Sequence, residues 1–526
     1  MWNFSFIAFT LLTLLASEQS AAQHIQVGSP LEQLTRERQL MAPSSIRYSM
    51  TVRPMGIYRG ERDSLVRFLS PDTVQQDLIP GVLSVQPAQV DLSFNSYRPF
   101  GWNNGSMITA KGLQMRVSAG MHYRTRLFEV NLQPEFVSAA NRPYSFSNRF
   151  GGTVKGAYTK SFLGQSYAEI KLGKVGIGFS NENMWLGPGQ KSALIMTNNA
   201  PGFGHIYIAS REPIKTPIVD LEWKIFGGGL DQDSLLNSES NFQQNASFTR
   251  QWRYLNVVTL TLQPKFLPGL YLGFNRALQV YGNKEDSSIV GFFNKYTPAV
   301  SAFFKKKINT QIDAPSENDG QDQIASVFMR FVLPKERMEF YFEYGYNDFK
   351  ANTRDLIQDV QHSAAYLVGF KKLTSIKNGI YYTVSGEVVQ MAQSASFVTR
   401  NAGNWYTIGS GSILQGMTHM NQILGASSGL GNNVQSIQVE RVSGVNRIGF
   451  TLMRIQNDPK GIQGGVNNIW ISPLAWTDIV YGPNIQWRFN NLLLRGEMQC
   501  VHSNNYAWIN KNQFNLFTAA SLIYKW

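Results

Sequence analysis

From about residue 85 to its end, the chain runs in segments of roughly ten residues that alternate apolar and polar side chains and are parted by turn residues. In "LFEVNLQPEF" (127–136), Leu127, Glu129, Asn131 and Gln133 stand against Phe128, Val130 and Leu132. "EFYFEYGY" (339–346) sets Phe340, Phe342, Tyr344 and Tyr346 on one side. "LLLRGEMQCV" (492–501) places Arg495, Glu497 and Gln499 on one face and Leu492, Leu494, Met498 and Cys500 on the other. A period of two is the signature of a strand, because successive strand side chains point to opposite faces. The charged face must be wet. The apolar face meets a second sheet in a soluble β-protein and lipid in a transmembrane barrel.

The C-terminus favours lipid. "SLIYKW" brings Leu522, Tyr524 and Trp526 into step, and a last strand closing on an aromatic residue resembles the assembly signal of bacterial outer-membrane barrels. The expected fold is all-β: a transmembrane antiparallel barrel of about 16–18 strands over residues 85–526, even in number as single-chain barrels are. Ahead of it, Phe4 to Leu15 is an apolar run followed by Ser20-Ala21-Ala22, so residues 1–22 read as a signal peptide cleaved after Ala22. Residues 23–84 read as a helical plug region. "SPLEQLTRERQLM" (29–41) carries Leu31, Leu34, Leu40 and Met41 among charges, with Ser29 as cap and Pro30 at the first helical position. "DSLVRFLSPDT" (63–73) is a second helix candidate. These short helices are expected to close the periplasmic side, while the polar stretch 309–323 reads as a solvated loop.

Composition narrows the class. No segment after the leader offers about 18 consecutive apolar residues, which excludes a helical membrane protein. The mean hydropathy is −0.21, yet 13% of residues are aromatic. That pairing suits a barrel with an apolar outside and a wet inside. The single cysteine, Cys500, allows no internal disulfide. The formal charge of +13, in an exported chain, points away from nucleic acid. It points toward acidic sugars or the phosphates of outer-leaflet lipopolysaccharide.

Enzymatic chemistry is not evident. "GASSG" (425–429) fits G-x-S-x-G around Ser427, but no helix follows as a nucleophile elbow requires. His362, His419 and His502 are scattered. The acids Glu317, Asp319 and Asp322 around Gly320 miss the calcium-loop register, and no H-x-x-x-H pair exists, so neither metal nor cofactor is expected.

One stretch breaks the strand rhythm. "ENMWLGPGQKSALIMTNNAPGFG" (182–204) carries Trp185, the turn formers Gly187, Pro188, Gly189, Pro201 and Gly202, and paired Asn198 and Asn199. Trp185, Asn181, Asn183, Asn198 and Asn199 offer the aromatic face and bidentate amides that hold sugars, and Lys191 adds attraction for an acidic one. Equally, Trp185 and the Gly-Pro-Gly turn can brace a loop inserted in the lumen. The Asn103-Asn104-Gly105 segment of "GWNNG" is open to the same two readings.

With "SFNSYRPFGWNNGSMITAKGLQ" (93–114) and "THMNQILGASSGLGNNVQSIQVERVSG" (418–444), this stretch resembles the Wzi family of capsule-assembly outer-membrane proteins. Leu186 stands where members often carry a second Trp. The resemblance implies a monomeric outer-membrane barrel, closed by helices at its periplasmic end, that binds capsular polysaccharide without catalysis and attaches it to the cell surface. Expected partners are an extracellular polysaccharide, outer-membrane lipid and lipopolysaccharide, and the barrel-assembly machinery. A diffusion porin or uptake channel and an outer-membrane hydrolase are the alternatives.

Overall fold

The computed structural model of the protein describes residues 24–42, 48–56, 82–144, 153–154, 156–233, 236–237, 252–281, 321–347, 364–392, 405–406, 413, 415–426, 428–429, 431–457 and 474–525. The leader 1–22, the helix candidate 63–73 and Trp526 lie outside these residues.

The alternating segments form 18 antiparallel strands that close on themselves. The wall runs through β1 (Val82–Asn95), β2 (Gly112–Arg124), β3 (Phe128–Leu132, continued by Glu135–Ala139), β4 (Tyr158–Phe162, continued by Tyr167–Leu172), β5 (Val175–Ser180) and β6 (His205–Ser210). It goes on through β7 (Val219–Leu230), β8 (Arg253–Pro264), β9 (Leu270–Tyr281), β10 (Gln321–Leu333), β11 (Met338–Tyr346) and β12 (Ala364–Leu373). The last third is β13 (Ile380–Gln390), β14 (Asn433–Ser443), β15 (Asn446–Gln456), β16 (Thr477–Phe489), β17 (Leu492–Asn504) and β18 (Gln513–Tyr524). Closure comes from β18 against β1, with Phe517 opposite Asn95 and Tyr524 opposite Ala88. Strand β3 breaks at Gln133-Pro134, where proline has no N–H for the ladder, and β4 is interrupted beside it at 163–166.

The two faces follow the period of two. Phe128, Val130 and Leu132 are exposed on the outside, whereas Glu129, Asn131 and Gln133 are buried within. Glu339, Tyr341 and Glu343 are buried while Phe340 points out. On β17, Gln499 is buried in the lumen and Met498 is exposed on the outer face that Cys500 shares. An outward charge at mid-depth would cost about 2–4 kcal/mol in lipid, which explains why the charges point inward. One reading from sequence changes. Gln321, Asp322 and Gln323, placed in a polar loop, instead open β10 opposite Val280, Gln279 and Leu278. Asp322 accepts from Gln279 Nε2 at 3.2 Å, because a polar residue is at home on the wet face of a barrel strand.

Alternate connections are short, as at 173–174, 334–337, 444–445 and 490–491, and the others are long, as at 181–204 and 391–432. In such barrels the short turns are periplasmic. Helix α1 (Pro30–Met41) lies across that end. Ser29 caps it, accepting from the Glu32 N–H at 3.3 Å, and the Glu32 carboxylate reaches back to the Gly28 N–H at 2.6 Å. Leu31 and Leu34 pack with Leu493 and Ile523. Leu40 packs with Tyr271, Val332, Leu373, Tyr381 and Val442. All these wall residues sit beside short turns or the C-terminus, so one twelve-residue helix contacts both sides of the opening. It is the only α-helix among the described residues.

Candidate functional site

The long loops do not only cap the barrel; three of them turn down into it. The 181–204 loop meets the N-terminal segment in mid-lumen, where Trp185 and Leu186 pair with Arg53 and Val52 and the Gly187 N–H donates to Thr51 O at 2.8 Å. Arg53 Nη2 donates to Gly187 O at 3.0 Å and to Gly189 O at 2.9 Å. Arg36 Nη2, from α1, donates to Pro188 O at 2.7 Å. Two arginines of the plug thus take all three carbonyls of the Gly-Pro-Gly turn. Glycine is required there: Gly187 has φ +120, and a Cβ on it would come within 2.8 Å of Glu343 Oε2.

The three quoted stretches meet one another. Asn198 Nδ2 donates to Asn103 O at 3.0 Å, Asn103 Nδ2 to Lys191 O at 3.0 Å, and the Gly105 N–H to Asn198 O at 2.7 Å. Thr197 N donates to Leu424 O at 2.7 Å, and Tyr406 hydroxyl to Leu194 O at 2.6 Å. A Cβ at Gly425 would overlap the Tyr406 hydroxyl. Gly425, the first glycine of the G-x-S-x-G match, is thus a packing residue, and no helix follows the match among the described residues. Ser427 and His362 lie outside the described residues. His419 is buried in the lumen and His502 stacks on Tyr481 on the outer face, so these two do not converge.

Among the candidate sugar ligands the structure separates two groups. Asn181 Nδ2 donates to Gly202 O at 3.1 Å, Asn183 Nδ2 to Ala200 O at 2.6 Å, and Asn199 Nδ2 to Ile423 O at 3.1 Å. These amides hold loop backbone. Trp185 is 3% exposed, packed with Val27 and Ala193 and covered by the Arg53 guanidinium 4.6 Å from its ring centre. The Arg53 guanidinium occupies one face of the ring. Trp185, Lys191 and Asn198 nonetheless line one cavity of about 500 Å³. It lies between residues 24–36, the inward loops, and the wall from β11 round through β18 and β1 to β3. Asn103 and Asn104 of the "GWNNG" segment line it too, and residues outside the candidate ligand set complete it, among them Trp102, Arg116, Arg495 and Glu497. Alternation marks Arg495 and Glu497 as lumenal; nothing local marks them as neighbours of a loop some 300 residues earlier.

The plug is tied down by charge. Arg36 Nε and Arg330 Nε donate to the two oxygens of Glu339 at 2.6 and 2.7 Å, and Arg330 also holds Gln39 and Ser49 O. Burial alone would lift the Glu37 carboxyl, but Lys371 and Arg447, both 3.0 Å away, bring it down to about 2. Burial pulls the His24 imidazole down, and the Glu182 carboxylate 2.9 Å away more than offsets that, raising it.

A family model described as capsule assembly protein Wzi matches residues 102–492. No curated protein sequence matches the chain. Among solved structures, an Escherichia coli outer-membrane protein, Wzi, described as a carbohydrate-binding β-barrel involved in group 1 capsule assembly, is 12% identical. The match has a TM-score of 0.61 and covers 97% of this chain and 100% of that one. OccK5 of Pseudomonas aeruginosa is 10% identical with a TM-score of 0.42, over 85% of this chain and 99% of that one.

Proposed function

The chain belongs to the Wzi capsule-assembly family, and on that premise we propose that it binds capsular or other extracellular polysaccharide in the outer membrane and attaches it to the cell surface without catalysis. The observation that carries this to a site is the lumenal chamber, where Trp102, Trp185, Lys191 and Asn198 border about 500 Å³ of space. Pockets of that size hold small ligands, and convergent polar groups fix their orientation. Asn181, Asn183 and Asn199 are assigned to bracing the loop. Trp405, Tyr406 and Leu194, all fully buried inside the barrel, count against a diffusion channel. Monomeric action, contact with lipopolysaccharide and delivery by the barrel-assembly machinery complete the proposal.

The test is retention. Cells lacking the protein should make as much polysaccharide as wild type but shed it, and the purified barrel should bind that polymer. Unchanged retention would overturn the function. Trp185→Ala should leave a barrel whose electrophoretic mobility still shifts on heating, with less polymer held. A folded variant that holds as much as wild type reduces Trp185 to a brace.

A further inference from the structure

Most ionic groups in the lumen are satisfied by protein partners, but three that line the chamber are not. Lys191 makes no side-chain hydrogen bond or ion pair among the described residues, although its backbone is held by Glu387 and Asn103. The guanidinium of Arg495, with five N–H groups, donates once, to Gly28 O at 3.0 Å. Glu497 accepts once, from Gln499 Nε2 at 3.1 Å, and no cation lies within ion-pair distance of it among the described residues. The side-chain amide of Asn104 and the indole N–H of Trp102 have no protein partner there either. Lys191 and Arg495 are the two cations whose fields act on Glu497, yet neither touches it. The three charges face one another across open space.

Groups that stay apart across a cavity leave room for a ligand between them. We propose that the chamber is a subsite for an uncharged sugar residue, bound through vicinal hydroxyls. Glu497 accepts from two neighbouring hydroxyls, Arg495 and Lys191 donate to hydroxyl or ring oxygens, and Trp102 gives an apolar surface for sugar C–H groups. A hydroxyl both donates and accepts, so it satisfies carboxylate and cation together. A sugar carboxylate does not. It would stand beside Glu497, with Glu387 also on the chamber wall, and like charges at close range oppose each other. The basic balance of the whole chain is thus not concentrated here.

This inference rests on the proposed polysaccharide binding and assigns its sugar class. Polymer shed by the producing cells is cut by mild acid to fragments of about two to four residues, the size that such a volume admits. Each fragment is titrated into the purified full-length barrel before and after chemical reduction of its carboxyl groups to alcohols. Binding should survive reduction. Glu497→Gln should weaken it about tenfold or more, as loss of a charged acceptor does. Ala519→Phe, which fills the chamber from β18, should abolish it while mobility still shifts on heating. Binding lost on carboxyl reduction, or equal in Glu497→Gln and wild type, overturns the assignment. If intact polymer is retained on cells through the protein but no fragment binds, the chamber assignment fails and the family function stands. If polymer is not retained at all, the function itself fails.

Discussion

Two inward-facing glutamates of the same wall lead opposite lives. Glu339 on β11 is fully buried and bridges Arg36 and Arg330, which in turn hold α1 and the segment after it. Glu497 on β17 faces the chamber with one amide for company. Both follow from the same alternation, and both flank an outward apolar residue, Phe340 and Met498. What separates them is what the lumen holds in front of each. On one side the plug and the 181–204 loop bring ions that complete each other. On the other side they leave a gap. A charge enclosed by partners belongs to folding, and a charge left facing water is available to a ligand.

The contrast breaks most visibly at Glu339. Glu339→Gln leaves two buried guanidiniums without their counterion, a loss in the range of about 3–5 kcal/mol. The variant should unfold at clearly lower denaturant than wild type in detergent or lipid and should release the plug, measured as protease cleavage within 24–56. Unchanged stability and protection would mean that the arginine pair does not anchor the plug.

A pH profile gives the next largest effect. Glu37 titrates near 2 in the folded protein against 4.5 when free. Its contribution, about 3 kcal/mol, is complete above 4.5 and is lost as pH falls from there toward 2. His24 acts at the other end. Its raised value means that the tie to Glu182 is complete below 6.5 and fades as pH climbs through the folded value. Plug protection should therefore fall at both extremes, and Glu37→Gln should shrink the acid limb alone. An acid limb unchanged in Glu37→Gln would remove Glu37 from the account.

The wall was legible from sequence for a physical reason. Each side chain's direction depends on its own strand, and lipid outside against water inside writes that direction as a period of two. Helix α1 was legible too, since Ser29, Pro30 and Leu34 carry a local cap and an apolar face. The lumen was not. Arg53 reaches Gly187 and Gly189, and Asn199 reaches Ile423, across distances in sequence that no local pattern encodes. The same turn residues, Gly187 and Pro188, fit a sugar-holding loop or a plug-holding one until the arginines are seen on their carbonyls. Asn181 and Asn183 are candidate ligands in the sequence because there an amide free for a sugar and an amide holding a carbonyl are the same residue; in the fold both hold loop carbonyls.

The smallest effect is the sharpest check. Glu497→Gln makes the same chemical change as Glu339→Gln, on the same face of a strand in the same barrel. It removes no ion pair among the described residues, and the new amide still accepts from Gln499. Substitutions that break no partnered contact usually alter stability by less than about 0.5 kcal/mol. Denaturation midpoint and plug protection should therefore match wild type within error. If Glu497→Gln destabilises the barrel as Glu339→Gln does, the charges around the chamber are part of the packing after all, and the division of the lumen into a locked side and a receptive side is wrong. If stability holds while sugar affinity falls, the same substitution at two positions will have separated folding from binding within one wall.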